Sequence, residues 1–223
     1  MASMTNSAVV RAKLTIMGAP LGAAFSRCHA HPDQARVVSG WLLHLHQIMR
    51  ASVPLMEAAR RRAAELGPAD AVGVGLCAYF DEHIEEERHH DTWMLEDLEA
   101  AGMSPAEALA KIPSPQLAAA VGAQYYWILH HHPVGLLGYI AVLEGAPPSD
   151  QLIDTMQARA KLPGDAFRTL RKHGQLDPTH GRELDHLLDS LPLTPAHASL
   201  IGLSIAHTTS SLALCVEALL SAT

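Results

Sequence analysis

The sequence is poor in cysteine and in basic residues, and each shortage excludes a class of protein. Its three cysteines, Cys28, Cys77 and Cys215, are odd in number and widely spaced along 223 residues. That pattern argues against a disulfide framework and fits a reducing cytoplasm. The 16 Lys and Arg against 23 Asp and Glu give a net charge of −7 without a basic stripe, so no nucleic-acid partner is expected. Residues 1–13 lack the apolar core of a signal peptide, which also predicts a cytoplasmic protein.

Aromatic residues are scarce too, and strand-like alternation, internal repeats and low-complexity linkers are missing. A chain with 48% hydrophobic and 4% aromatic residues, rich in Ala and Leu, favours helices over strands. The most apolar tract, residues 200–220, contains His207, a Thr-Thr-Ser-Ser run and Glu217, so it predicts a buried core helix and no membrane span. We therefore predict one all-α domain of about seven helices over residues 33–223, after an irregular segment at residues 1–32.

Proline, glycine and capping residues set the predicted helix ends. Asp33 is a suitable N-cap, Gly67-Pro68 is a stop, and Pro54 should kink or divide the helix between them. Asp177-Pro178 has the form of an N-cap followed by Pro at the first helical position, which predicts a break or a kink there. The predicted helices span residues 33–66, 68–101, 104–112, a segment from about 115, 135–144, 149–173, 178–190 and 195–222.

Histidine is abundant, with 15 copies, and several of them occur at metal-binding spacings. His173, Asp177 and His180 stand at i, i+4 and i+7, which is a single face of a helix about two turns tall. Two imidazoles and a carboxylate aimed at one point suit iron, manganese or zinc. Glu144 is the one charged residue in the apolar run 136–144, and a buried carboxylate is costly unless it is paired or bound to metal.

The second predicted helix has an acidic and histidine-rich stretch, and helical periodicity indicates which of its side chains face the core. At 100° per residue, its apolar residues cluster on one side, and His83, Glu87 and His90 fall on or beside that side. The residues that point away from it are Glu82, Glu85 and His89. We therefore expect the first three to face the core, whereas the alternative is a fully solvated acidic face. Which side chains complete a metal site is left open among Glu82, His83, Glu86, Glu87, His89 and His90.

Three motifs together resemble those of the heme-oxygenase-like diiron oxidases and oxygenases, often called iron-containing redox enzymes. They are the acidic and His-rich stretch Glu85–Trp93, the run Leu137–Gly145, and His173-x3-Asp177-x2-His180. The resemblance covers about residues 82–193. It implies a heme-oxygenase-like helical bundle with two irons per chain. It also implies that O2 is used to oxidise a small amino acid, carboxylic acid or amine in specialised metabolism.

The resemblance also implies a ligand set, with one departure from the family's pattern. His90, Glu144, His173, Asp177 and His180 would hold iron. The family usually places another carboxylate about seven residues before the helical histidine; that position is His83 if His90 matches, and Glu82 if His89 matches. The helical-face argument favours His90, so Glu87 is expected to be the extra carboxylate. The expected metal site is therefore His83, Glu87, His90, Glu144, His173, Asp177 and His180.

Partners and substrate contacts follow from the same resemblance. An external electron donor is compatible with the chemistry, and the apolar helix at residues 200–220 is expected either to be central or to contribute to a homodimer. We expect neither a membrane nor a nucleic-acid partner. The candidate substrate-facing residues are Tyr125, Tyr126, Trp127, His131 and Tyr139.

Several other functions known for this fold conflict with particular residues of the sequence. A heme oxygenase needs a glycine-rich distal helix, whereas Gly145 is followed by Ala-Pro-Pro. A thiaminase-like hydrolase needs a nucleophilic Cys, but no cysteine lies near the three motifs. A cofactor-free oxidase of the pyrroloquinoline-quinone type has no need for so many ligands. A non-catalytic helical metal-binding protein is the remaining alternative, and multi-turnover O2 consumption would separate it from an oxidase.

Overall fold

The structure, a computed structural model, describes residues 4–221, and this part of the chain is built from helices. The prediction of an all-α fold is confirmed, although eleven α-helices replace the expected seven. The α-helices are α1 Asn6–Met17, α2 Ala19–Ala30, α3 Gln34–Leu66, α4 Ala71–Glu87, α5 His90–Ala100, α6 Pro105–Ala110, α7 Pro115–His130, α8 Leu136–Glu144, α9 Asp150–Ala160, α10 Arg168–Ser190 and α11 Pro195–Ser221. Two 3-10 turns, Pro133–Gly135 and Gly164–Phe167, precede α8 and α10.

Two of the predicted helix starts and stops are found at the expected residues. The Asp33 carboxylate accepts the Arg36 backbone N–H at the start of α3, and Gly67 ends that helix at a φ of 75°. Pro54 lies inside α3 and does not end it. Local capping chemistry could therefore be located correctly from sequence.

The prediction of an irregular segment at residues 1–32 is wrong, because residues 6–30 form α1 and α2. The two helices meet at a bend of 49°. The Gly18 N–H donates to the Leu14 carbonyl, and Pro20 occupies the first turn of α2, where its missing N–H costs nothing. The backbone N–H and hydroxyl of Ser7 both donate to Asp189, which ties α1 to α10. Gly18 and Pro20 therefore mark a junction between two helices and not an irregular segment.

The second predicted helix is divided in two by a left-handed residue. His89 has a φ of 71° and separates α4 from α5. The predicted helix at residues 149–173 is divided in the same way, since Lys161 ends α9 with a φ of 56°. Neither residue is glycine. Pro163-Gly164 is a stop signal just after Lys161 that the prediction overlooked, whereas no Gly or Pro marks the break at His89.

The break predicted at Asp177-Pro178 does not occur, and α10 continues through it for 23 residues. Pro178 removes one backbone N–H, which is the loss that a proline imposes inside a helix. Packing of a strongly one-sided apolar face, which includes Leu170, Leu184 and Leu188, offsets this loss. As a result, His173, Asp177 and His180 share the face of a single helix.

The long apolar helix α11 lies in the centre of the fold and packs against α1, α2, α7 and α8. It has the length and apolarity of a membrane-spanning helix, but 61% of its most apolar stretch is buried in the protein. Gly138 allows α8 to approach it closely, since a Cβ there would lie 2.4 Å from the Ile201 carbonyl oxygen. The predicted role as a central helix is confirmed, whereas the homodimer stays a prediction.

Candidate metal centre

Four helices bring the predicted ligand residues together in the interior. The α4 helix contributes His83 and Glu87, α5 begins with His90, and α8 ends with Glu144. The α10 helix contributes the remaining three, His173, Asp177 and His180. The His83, His90 and His180 side chains are at most 4% exposed, and the Glu87 and Glu144 carboxylates are 9% and 12% exposed. Polar groups buried to this extent need partners or a metal.

The ligand atoms form two groups that share one carboxylate. One atom each from His83, Glu87, Glu144 and His180 lie within 4.8 Å of one another. The same holds for Glu87, His90 and His173. Because Glu87 belongs to both groups, its two oxygens are suited to lie between two metal ions. Imidazoles and carboxylates are the donors that iron prefers in non-heme sites.

Each of three imidazoles is hydrogen-bonded to a carboxylate. The distances are 2.8 Å from His83 Nε2 to Glu144 Oε1, and 2.9 Å from His90 Nδ1 to Glu87 Oε2. Asp177 Oδ1 lies 3.0 Å from His173 Nδ1 and belongs to neither ligand group. The resemblance implied that Asp177 is itself a ligand, and this stays a prediction; in the structure Asp177 accepts a hydrogen bond from His173, which orients that ring.

Several buried polar atoms at the centre have no hydrogen-bond partner. They are His83 Nδ1, Glu144 Oε2, His173 Nε2 and His180 Nδ1. Leaving such atoms unpaired costs about 1–3 kcal/mol each. A lone pair on each of these atoms can be satisfied by a cation, so the residues present fit metal ions.

Protons occupy the site when no metal is bound. Burial lowers the pKa of His83, but its hydrogen bond to Glu144 and the charge of that carboxylate outweigh burial and raise the pKa to about 9. Burial raises the pKa of Glu87, but the hydrogen bond and charge of His90 outweigh it and the pKa is lowered. Glu87 is therefore ionised at neutral pH, as a shared ligand must be. A metal at His83 would displace a proton, so metal affinity increases with pH.

The outward-pointing residues also match the helical-face argument. Glu82, Glu85 and His89 are exposed, and Glu85 forms an ion pair with Arg88. Glu86 is half-exposed, and its Oε2 lies 3.4 Å from His83 Nδ1. The orientation of this stretch could therefore be predicted, although the helix was expected to be continuous. Metal binding by the inward residues stays a prediction.

A cavity of about 780 Å³ opens onto the centre. Glu87, Glu144, His173 and Asp177 line its polar end. Its other walls come from α1, α2, α3 and residues 141–149. This volume lies within the range of ligand pockets, roughly 300–1,000 Å³. A second space of about 20 Å³, large enough for about one water molecule, touches His83, Ser52 and Tyr139.

A sequence profile described as "Iron-containing redox enzyme" matches residues 76–201, a range that holds every candidate ligand. The chain belongs to this family of iron-containing redox enzymes. No curated protein sequence matches the chain significantly.

Solved structures agree on the fold of this family member. A domain of unknown function with a heme oxygenase-like fold from Shewanella denitrificans OS217 superposes with a TM-score of 0.78, at 14% identity over 94% of this chain and 89% of that one. A TenA homolog from Pseudomonas syringae pv. tomato DC3000 superposes with a TM-score of 0.65, at 9% identity over 95% and 93% of the two chains. The predicted heme-oxygenase-like fold is confirmed.

The aromatic residues proposed to face a substrate are mostly elsewhere in this iron-containing redox enzyme. Tyr125, Tyr126 and Trp127 lie on α7 and His131 follows it, and none of them lines the two cavities described above. Tyr126 is 57% exposed, so this side chain lies on the protein surface. Tyr139 does reach the small space beside His83, and burial raises the pKa of its unpartnered hydroxyl, which stays protonated.

The walls of the large cavity could not be identified from the sequence. Phe25 and Trp41 line it and contact each other edge to face, with ring centroids 4.8 Å apart. Apolar helical residues have the same spacing whether they pack a core or border an empty space. In addition, Phe25 lies in the segment that was predicted to be irregular.

Proposed function

We propose that this protein is a non-heme diiron enzyme that uses O2 to oxidise an organic small molecule. The observation that carries the proposal is the pair of ligand groups that share Glu87. His83, Glu144 and His180 would hold one iron, His90 and His173 the other, and Glu87 would contact both. Two bound iron(II) ions would supply two electrons for the reduction of O2, which is chemistry that the protein side chains cannot perform alone.

The chain's own residues orient this site and limit access to it. Asp177 accepts the Nδ1–H of His173 and thereby directs the unpartnered Nε2 of that ring into the centre. The buried hydroxyl of Tyr139 and Ser52 border the small space beside His83. The large cavity brings a molecule to the carboxylates while its apolar walls keep bulk water away.

A Cys-dependent hydrolase on this fold is less well supported. Cys28 lines the large cavity, so its position alone would permit a reaction there. Burial, however, raises the pKa of its thiol more than the charge of Arg27 lowers it. A thiol held protonated is a poor nucleophile. Four buried histidines paired with or close to carboxylates would also have no purpose in such an enzyme.

Anaerobic titration with iron(II) tests the proposal. We expect binding to saturate near two equivalents per chain, followed by O2 uptake when the loaded protein is mixed with air-saturated buffer. Saturation at one equivalent, or a preference for zinc without reactivity toward O2, would contradict the diiron assignment. Repeated turnover with a defined product would separate an enzyme from a protein that only stores metal.

A further inference from the structure

The large cavity combines apolar walls with a single polar end. We propose that it binds a hydrocarbon-rich molecule that brings no carboxylate or other anionic group into the cavity, and so excludes free amino acids. That this molecule is the substrate rests on the function proposed above, whereas its binding does not. The polar end, at Glu87, Glu144, His173 and Asp177, would receive the part of the molecule that reacts.

The walls are made of aliphatic and aromatic side chains from several helices. They come mainly from α2, α3 and residues 141–149, with smaller contributions from α1, α9, α10 and α11, and include Leu21, Phe25, Trp41, Leu45, Ile48 and Leu212. Burial of hydrocarbon against such walls contributes about 25 cal/mol per Å² of apolar surface. Affinity for a ligand should therefore increase with its hydrocarbon content.

The cavity offers no cation to an anionic ligand. Within residues 4–221, its lining contains neither lysine nor arginine. Arginines on the neighbouring helices have other partners: Arg27 forms an ion pair with Glu217, and Arg36 donates to the Leu219 carbonyl 2.7 Å away. Arg159 donates to the carbonyl of His29. A carboxylate placed among these walls would lose its hydration without a counter-ion.

Most polar side chains in the walls are also committed to the backbone, and the His29 imidazole is neutral because burial and the charge of Arg159 lower its pKa. The hydroxyls of Thr15, Ser52 and Thr209 donate to carbonyls one helical turn earlier, at 3.0, 3.2 and 2.8 Å. The Gln34 amide donates to the carbonyls of Cys28 and His31, both at 2.7 Å. An α-ammonium or α-carboxylate group would therefore find few free partners along the walls, whereas a hydrocarbon needs none.

Binding to the metal-free protein separates this inference from the iron chemistry. Ligands with one chain length and three head groups, namely 1-decanol, decanoate and 2-aminodecanoate, can be compared by the rise in Tm and by quenching of tryptophan fluorescence. We expect 1-decanol to bind at least tenfold more tightly than decanoate or 2-aminodecanoate. Across 1-hexanol, 1-octanol and 1-decanol, Kd should fall about fourfold per methylene.

Two substitutions locate the binding in the cavity. Gly22 lines the cavity, and an added Cβ there meets no atom within 4 Å, so Gly22→Leu should fold and narrow the space. Gly122→Leu is the matched control, because that glycine is equally open, lies in α7 and does not line the cavity. Leu45→Trp adds bulk at a half-buried wall position. We expect a tenfold or greater loss of 1-decanol affinity in at least one cavity variant and none in the control.

The outcomes distinguish the two proposals. Equal or tighter binding of decanoate or 2-aminodecanoate, or a Kd that does not depend on chain length, would overturn the inference about the ligand. The same holds if both cavity variants bind 1-decanol as the wild type does. Failure to bind two irons would overturn the diiron function and leave the ligand inference intact, because this binding is measured without metal.

Discussion

The two ligand groups of the candidate centre differ in how the chain builds them. The first, His83, Glu144 and His180 together with Glu87, uses residues inside α4, α8 and α10 or at their last turn. The second, His90 and His173 together with Glu87, depends on a backbone break, because His90 starts a new helix after the left-handed His89. The first group is thus fixed by regular helices and the second by one unusual residue.

The groups also differ in their relation to the large cavity. His173 and its partner Asp177 line the cavity, as do Glu87 and Glu144, whereas His83, His90 and His180 do not. Of the four imidazoles at the centre, that of His173 is therefore the one beside which a bound molecule would lie. The second group would therefore meet a bound molecule through an imidazole, and the first only through the Glu144 and Glu87 carboxylates.

The largest effect should come from removing the ligand that the groups share. Glu87→Gln keeps the size of the side chain and removes its charge, so both groups lose their common anionic donor. We expect the iron(II) stoichiometry to fall from two equivalents per chain to nearly none in an anaerobic titration. Glu82→Gln, on the exposed face of the same helix, is the control and should still bind two. Retention of one tightly held iron by Glu87→Gln would show that the groups are independent.

Removing a histidine from one group should separate them. His90→Ala takes away one of the three donors of the second group and none of the first, so one equivalent of iron should remain. His89→Ala changes an exposed neighbour and should bind two equivalents. The opposite pattern, with His89→Ala losing an iron, would mean that the helical-face argument chose the wrong histidine.

A smaller effect is expected from substitution of Asp177, the carboxylate that is hydrogen-bonded to His173. Asp177→Asn can still accept a hydrogen bond from His173 Nδ1 but loses the negative charge that makes the ring a stronger donor. Substitution of such supporting carboxylates typically weakens metal affinity about 10–100-fold. In an anaerobic iron(II) titration that resolves two binding steps, only one step should be weakened. Loss of that step altogether would indicate that Asp177 binds metal directly.

The candidate ligand residues could be predicted from the sequence better than the apolar residues that line the large cavity. Candidate ligand residues such as Glu144 stand out because a charge inside an apolar run needs an explanation, and the faces of α4 and α10 follow from helical periodicity. The cavity walls could not be predicted, because Phe25 and Trp41 have ordinary helical spacing. The break at His89 was missed because no Gly or Pro marks it, and the expected break at Pro178 was wrong because packing of α10 outweighs one lost hydrogen bond.

The smallest effect tests whether the break at His89 supports the second group. A β-branched residue tolerates a φ of 71° poorly, so His89→Val should lower the free energy of unfolding by about 1–2 kcal/mol. Lys161→Val is the matched control, since Lys161 has a φ of 56° and ends α9 away from the ligand groups.

Both variants should lose similar stability in urea denaturation of the metal-free protein. Only His89→Val should also weaken the second iron-binding step, by up to about tenfold, because strain of 1.4 kcal/mol released by shifting His90 corresponds to that factor. The first step should be unchanged, since His83, Glu144 and His180 lie outside the break. If both variants bind iron equally well, the break positions nothing, and the second group is as firmly built as the first.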